Sequence, residues 1–239
     1  MLGAVIDLET TGLDPLKDQI IEVGIVQFCF QVNTPDAPTI SEMYGGLQDP
    51  GRPLSEDIVR ITGLTDFDLA NRSIRWPLVE ELLSGCDLVV AHNMDFDRSF
   101  IRALPNLAPI SGVWGCSMRH IDWAAKGHKT QALNYIAADQ GFVNPFAHRA
   151  LFDCATTFRI IAPHLTELYE RCQQREFEVR ALGAPFASKD VLKARGYRWD
   201  GDARVWHKTF AESALPLERE FLASQVYGGT NRSSETIVS

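Results

Sequence analysis

Apolar and polar positions along the chain change period several times, and each change marks an element. Gly3-Ala4-Val5-Ile6 is a continuous apolar run before Asp7, which predicts a buried strand over 3–8. A second strand is expected over 20–32 and a third over about 39–48, with Pro35 and Pro38 marking the connection between them. Short helices are expected at about 55–61, with Ser55 as N-cap, and at 76–84, opened by Trp76-Pro77. Asp87-Leu88-Val89-Val90-Ala91 reads as a compact strand, followed by a helix over about 95–103 and a short strand over 113–116. Helical spacing returns over 130–140 and again over 149–171, where Leu151, Cys154, Phe158, Ile161 and Leu165 recur at intervals of three and four. Strands first, then strands alternating with helices, predict an α/β sheet with helices packed on it.

Residues 174–178 read as a boundary. Beyond it the pattern predicts a helix at 188–195, two short strands around Asp200-Gly201 and a helix at 211–225. From Gly228 the chain is polar, and 228–239 is expected to be a flexible tail. The expected organisation is therefore a main domain over 1–173, a small α+β module over 174–227 and the tail.

The bulk numbers change this picture little. The 239 residues are 45% hydrophobic and 23% charged, which are globular values. No basic leader precedes the first apolar run, and no apolar stretch approaches about 18 residues, so no membrane partner is expected. Cys29, Cys86, Cys116, Cys154 and Cys172 are far apart and odd in number, which fits neither a zinc knuckle nor a disulfide framework. A reducing cytoplasm is the expected location. The net charge of −8 argues at first against a nucleic-acid partner, but its distribution is uneven. Within 179–210, Arg180, Lys189, Lys193, Arg195, Arg198, Arg204 and Lys208 are opposed only by Asp190, Asp200 and Asp202. In that window Tyr197 shares a strand face with Trp199, and Arg204 shares one with Trp206 and Lys208. Basic residues interleaved with aromatics suit single-stranded nucleic acid. A module this small also needs aromatics for its own core, so a packing or protein-binding role stands beside that reading.

The candidate chemistry lies in the main domain. Asp7 and Glu9 sit at i and i+2 of a strand and leave on one face. Two carboxylates about 5 Å apart repel by about 3 kcal/mol at an effective dielectric of 20, and a divalent cation between them removes that cost. Taken alone, the pair fits an acidic strand end equally well. Asp97 follows the strand 87–91 at a sheet edge where ligands gather. Asp153 opens the long helix, five residues after His148. Five residues of helix turn two side chains about 140° apart. If both serve one site, His148 must therefore lie in the loop before the helix, as Asn144-Pro145 suggests.

Asp7-Leu8-Glu9-Thr10-Thr11-Gly12, then His92-Asn93-Met94-Asp95-Phe96-Asp97, then His148-Arg149-Ala150-Leu151-Phe152-Asp153 resemble, in that order and spacing, the DEDDh (DnaQ-like) 3′–5′ exonucleases. The layout is nearest to exonuclease X-like proteins, and Ile61-Thr62-Gly63-Leu64-Thr65 also looks like a family segment. Arg149 stands where the sister subclass carries tyrosine. The resemblance covers roughly residues 1–170 and implies a ribonuclease H-like mixed sheet flanked by helices. It makes Asp7, Glu9, Asp97 and Asp153 ligands of two divalent cations, Mg²⁺ or Mn²⁺, and His148 the general base. It also implies that Thr10, through its amide, and Leu13 hold the terminal nucleotide, with Ile61 and Phe96 against bases or sugars. Trp199, Arg204 and Trp206 are the expected contacts from the module. The implied substrate is the 3′ end of nucleic acid, single-stranded or frayed DNA foremost, releasing nucleoside 5′-monophosphates. RNA trimming is the alternative. A non-catalytic binding subunit is disfavoured because every group the chemistry needs is present. A replicative proofreading subunit is disfavoured because it would carry a flexible polymerase-binding tail in place of this module.

Overall fold

A computed structural model describes residues 1–238, which form two compact units, one from Met1 to Cys172 and one from Gln173 onward. The first is built on a five-stranded mixed sheet. Its strands are β1 (Leu2–Thr10), β2 (Ile20–Cys29), β3 (Thr39–Leu47), β4 (Leu88–Ala91) and β5 (Val113–Cys116), in the order β3-β2-β1-β4-β5. β1, β2 and β3 are antiparallel neighbours, whereas β4 and β5 run parallel to β1. The central strands are buried on both faces, which is why β1 and β2 read as continuous apolar runs; the edge strand β3 is mostly exposed.

Helices α1 (Glu56–Thr62), α2 (Asp66–Leu69), α3 (Trp76–Leu83), α4 (Met94–Ala103), α5 (Leu133–Asp139), α6 (Ala150–Ile161) and α7 (Leu165–Cys172) complete this unit. One core layer gathers Ile6, Leu8, Val23, Ile25, Val79, Val89, Met94 and Phe100 on one side of the sheet. The other gathers Val5, Val26, Phe28, Val90, Trp123, Ile136, Ile160 and Leu168. The alternation of Val5 with Ile6 and of Val26 with Ile25 between the two lists is the strand period at work. The long helix expected over 149–171 is broken. Ala162–His164 form a 3₁₀ turn at Pro163, whose ring and missing N–H interrupt the ladder, although the apolar spacing continues through it. The short helix α2 was not foreseen; it starts at a capping box in which Thr65 and Asp68 bond reciprocally.

The second unit is a four-stranded antiparallel sheet in the order β7-β8-β6-β9: β6 (Glu176–Ala181), β7 (Arg198–Asp200), β8 (Val205–Ala211) and β9 (Ser234–Ile237). Helices α8 (Lys189–Ala194) and α9 (Leu215–Phe221) accompany it. One expectation is narrowed and one corrected here. The division falls just before the stretch read as a boundary, between Cys172 and Gln173, and β6, which pairs on both sides, begins within that stretch. The expected tail supplies β9, whose Ser234 to Ile237 pair with Arg180 to Phe177. Alternating side chains such as Thr236 and Ile237 let a polar segment serve as an edge strand; Ser239 lies outside the described residues. No helix among the described residues is long and apolar enough to cross a membrane.

Candidate active site

Asp7 and Glu9 leave β1 on the same face, as their spacing predicts. Their Cα partners across the ladder are Gly24 and Glu22 of β2. Gly24 is what lets a third element reach them. A Cβ on Gly24 would lie 2.3–2.4 Å from the backbone of Ala150 and Leu151, so only glycine allows the first turn of α6 to rest on β2. Cys154 Sγ donates to the Gly24 carbonyl at 3.1 Å from the next turn. Asp153 is thereby carried to β1. One carboxylate oxygen each from Asp7, Glu9 and Asp153 lie within 4.8 Å of one another.

Asp97 is not within that tight trio but adjoins it. It is buried in the first turn of α4, and its Oδ1 accepts from the Leu8 amide at 3.0 Å, which ties α4 to β1 between Asp7 and Glu9. Burial, then the charge of Asp97 and those of Asp153, Glu9 and Glu22, push the Asp7 carboxyl well above its usual range. Glu9 is pushed to about 8, by burial first and then by Asp153 and Glu22. Asp97 is also raised by burial, against the opposing pull of the Leu8 amide. Asp153 is raised by burial, while the His148 imidazole and the His148 and Arg149 amides pull it down. Four crowded carboxylates that disfavour their own ionisation are the donor set a hard divalent cation relieves. The residues present therefore fit the metal centre that the sequence resemblance implies.

His148 lies in the turn before α6, with exposed side chain and a left-handed backbone (φ 61°), as the geometry of a shared site requires. The chain reaches it through Asn144. That side chain donates to Asp153 Oδ1 at 2.7 Å and accepts from the Phe146 amide at 3.1 Å. Asn144 and Glu22 were missed in the sequence. A lone carboxylate inside the apolar strand Ile20-Ile21-Glu22-Val23 was the available signal. Its placement opposite Glu9 depends on the strand register. Asp95 is not part of the cluster: it pairs with Arg98 and Arg119. His92 bonds Ser117 Oγ at 2.7 Å and the Gln131 carbonyl at 2.8 Å, and burial lowers it to about 4.

The remaining expected contacts divide. Thr10 is buried, and its hydroxyl donates to the Gly12 carbonyl. Leu13 is 84% exposed on a loop knitted around Asp18, whose carboxylate accepts from the Asp14 amide and from Thr11. Ile61, near the end of α1, is 45% exposed. Phe96 is half-buried, packs on the core and meets Phe100 at 5.0 Å between ring centroids.

In the second unit the expected basic and aromatic face divides: Lys193, Arg195, Arg198, Trp199 and Arg204 are exposed, whereas Tyr197, Trp206 and Lys208 are drawn inward. Tyr197 is buried with its hydroxyl on Glu218, Trp206 packs on the core, and Lys208 donates to the Arg195 carbonyl. Trp199 stays half-exposed, its ring 5.4 Å from that of Trp206. The hairpin turn is also longer than the Asp-Gly pair suggested. Asp200 pairs with Val205 and caps the amides of Asp202 and Ala203, so the left-handed position falls on exposed Arg204 (φ 52°).

The comparisons with known proteins identify the family and the fold. The RNase_T family model, described as Exonuclease, matches residues 4–161. The DNA polymerase III epsilon subunit of Aquifex aeolicus is 30% identical over 174 residues, covering 69% of this chain and 81% of that protein. A PolC-type DNA polymerase III of Thermotoga petrophila is 31% identical over 171 residues, but these are 65% of this chain and only 11% of that protein. Among solved structures, exonuclease I superposes with a TM-score of 0.60 at 13% identity, over 88% of this chain and 62% of that one. The nuclease domain of 3′hExo, described as a DEDDh family member bound to rAMP, gives 0.51 at 18% identity, over 70% of this chain and 92% of that one. With a ribonuclease H-like sheet carrying the three motifs at its centre, the chain belongs to the DEDDh, DnaQ-like exonuclease family.

Proposed function

We propose that this protein is a metal-dependent 3′–5′ exonuclease that hydrolyses the terminal phosphodiester of single-stranded or frayed DNA and releases nucleoside 5′-monophosphates. The observation that carries this reading is the convergence of Asp7, Glu9 and Asp153 within 4.8 Å, with buried Asp97 beside them. Asp7, Glu9, Asp97 and Asp153 would hold two divalent cations, Mg²⁺ or Mn²⁺. Bound there, such cations supply charge neutralisation and Lewis acidity for in-line displacement at phosphorus. The protein's own part is to place a base and to hold the strand end. His148 stands at the exposed rim of the cluster, where its imidazole takes the proton of the attacking water. Thr10 and Leu13 receive the terminal nucleotide, Ile61 the neighbouring sugar or base, and Phe96 supports them from the core side. In the second unit, Trp199 offers a ring for base stacking, with Trp206 behind it and Arg204 for a phosphate.

The test uses end-labelled single-stranded DNA and RNA of one sequence, incubated side by side with Mn²⁺ and then with EDTA. Stepwise shortening of the DNA from the 3′ end, stopped by EDTA, is the expected result; no shortening of either strand ends the nuclease reading. Preferential shortening of the RNA would move the substrate to RNA, for which the rAMP complex of 3′hExo is the supporting parallel. The coverage of the Aquifex aeolicus epsilon subunit favours a second reading, a proofreading nuclease working beside a polymerase. Co-elution with a polymerase subunit from the native host would support it over a free-standing role.

A further inference from the structure

Glu22 is a fifth carboxylate beside the cluster, and its hydrogen bonds go to the two residues that follow His148. It is 5% exposed in β2, yet it makes no part of the tight trio. Both of its oxygens accept from Arg149 Nε, at 3.1 and 3.2 Å, and Oε2 also accepts from the Ala150 amide at 3.3 Å. A buried carboxylate needs such partners, and the amides at a helix start favour a negative charge. Arg149 and Ala150 are the two residues that follow His148. On the other side of His148, Asn144 fastens the loop by bonding the Phe146 amide and Asp153. Phe146 and Phe152 close the same loop with rings 4.6 Å apart.

His148 is thus a non-glycine residue in the left-handed region, fixed on both flanks. That conformation is uncommon for a non-glycine residue, although histidine adopts it more readily than most, and it persists where the surroundings hold it. We infer that Glu22 and Arg149 are positioning residues: their ion pair anchors the chain immediately after His148 and so aims the imidazole at the reaction centre. Neither touches substrate. Glu22 sets the anchor from the sheet and Arg149 transmits it. The inference rests on the proposed role of His148 in hydrolysis, but the clamp itself is a property of the metal-free protein.

The test compares wild type with Arg149→Gln, Glu22→Gln and His148→Asn, and with each of the first two combined with His148→Asn. Asparagine tolerates the left-handed backbone, so it removes the imidazole without adding strain. Arg149→Gln and Glu22→Gln are each expected to lower kcat on a single-stranded oligonucleotide by about 10- to 100-fold, with KM changed by no more than about twofold. No further loss is expected where His148 is already asparagine, since the pair acts through it. In the metal-free protein, amide hydrogen exchange over residues 146–150 is expected to speed up about tenfold in Arg149→Gln while the sheet stays protected. Unchanged exchange at 146–150, or losses that multiply in the combined variants, would overturn the inference. If Arg149→Gln loses sheet protection altogether, the milder Glu22→Gln carries the same readings. An inactive wild type would sink the proposed function instead, and the exchange measurement would then decide the clamp alone.

Discussion

The two units differ in what their conspicuous residues do. In the first, charged side chains are driven inward: Asp97, Asp153 and Glu22 are buried against a sheet whose strands are otherwise apolar. In the second, aromatic residues that look ready for a ligand are drawn into the core, as Tyr197 and Trp206 are. The difference follows from size. A five-stranded sheet with helices on both faces buries enough apolar surface to tolerate several costly carboxylates, whereas a module of under 70 residues needs nearly every ring it has. The second unit also buries Glu218, but there Arg195 and Tyr197 hold the carboxylate; acids buried against one another signal chemistry, and aromatic content in a small unit signals stability first.

The sharpest break of this contrast is Asp153→Ala. Hydrolysis should fall below detection with thermal stability kept or raised, because a charge that raises Asp7 and Glu9 is gone; Mn²⁺-dependent turnover at the wild-type rate would remove Asp153 from the site. His148→Asn should slow the reaction by about 10²- to 10⁴-fold, with Mn²⁺ affinity retained by calorimetry. An unchanged rate would mean another group accepts the water's proton. Gly24→Ala tests the scaffold, since its Cβ would meet backbone atoms of α6 that no rotamer change can move aside. A destabilisation of about 1–3 kcal/mol and loss of activity are expected, read by thermal melting and by the nuclease assay. Normal stability with normal activity would show that α6 has room to shift.

Two smaller effects sharpen the comparison from each side. Trp199→Ala should weaken binding to long single strands by about 1–3 kcal/mol, with the fold and the cleavage of dinucleotides unaffected. Trp206→Ala should instead lower the melting temperature. If Trp199→Ala leaves long-strand affinity unchanged across a salt series, the second unit lies off the substrate path. The pH dependence of the metal-free protein completes the set. Glu9 ionises at about 8 in the fold against an ordinary value of 4.5, so the folded state holds more protons between those limits. Its contribution to stability is therefore full below about 4.5 and fades as pH rises through 8. Glu9→Gln should flatten that decline in a series of melting curves with EDTA, and a parallel pair of curves would refute the raised ionisation.

What was legible in the sequence followed from short-range rules. The apolar runs of β1, β2 and β4 and the three acidic motifs needed only side-chain period and spacing, and the turn position of His148 followed from helix geometry. What escaped depended on long-range pairing. Glu22 becomes a neighbour of Glu9 only through the antiparallel register, and Gly24 becomes indispensable only where α6 crosses β2. The strand β9 escaped because its polar residues take their order from β6, not from their own pattern. In the second unit the expected alternation runs too far along the chain: Tyr197 precedes β7 and Arg204 lies in the turn before β8, so neither shares a strand face with the residues grouped with it.

The corner at Pro163 has a mechanical consequence. Because α6 lies along β1 and β2 while α7 lies along β5, one stretch of chain braces both halves of the sheet through two short levers instead of one rigid rod. Trimming a contact on the outer lever, such as buried Leu168 against the parallel edge, should soften that margin of the sheet while Asp153, on the inner lever, keeps its place.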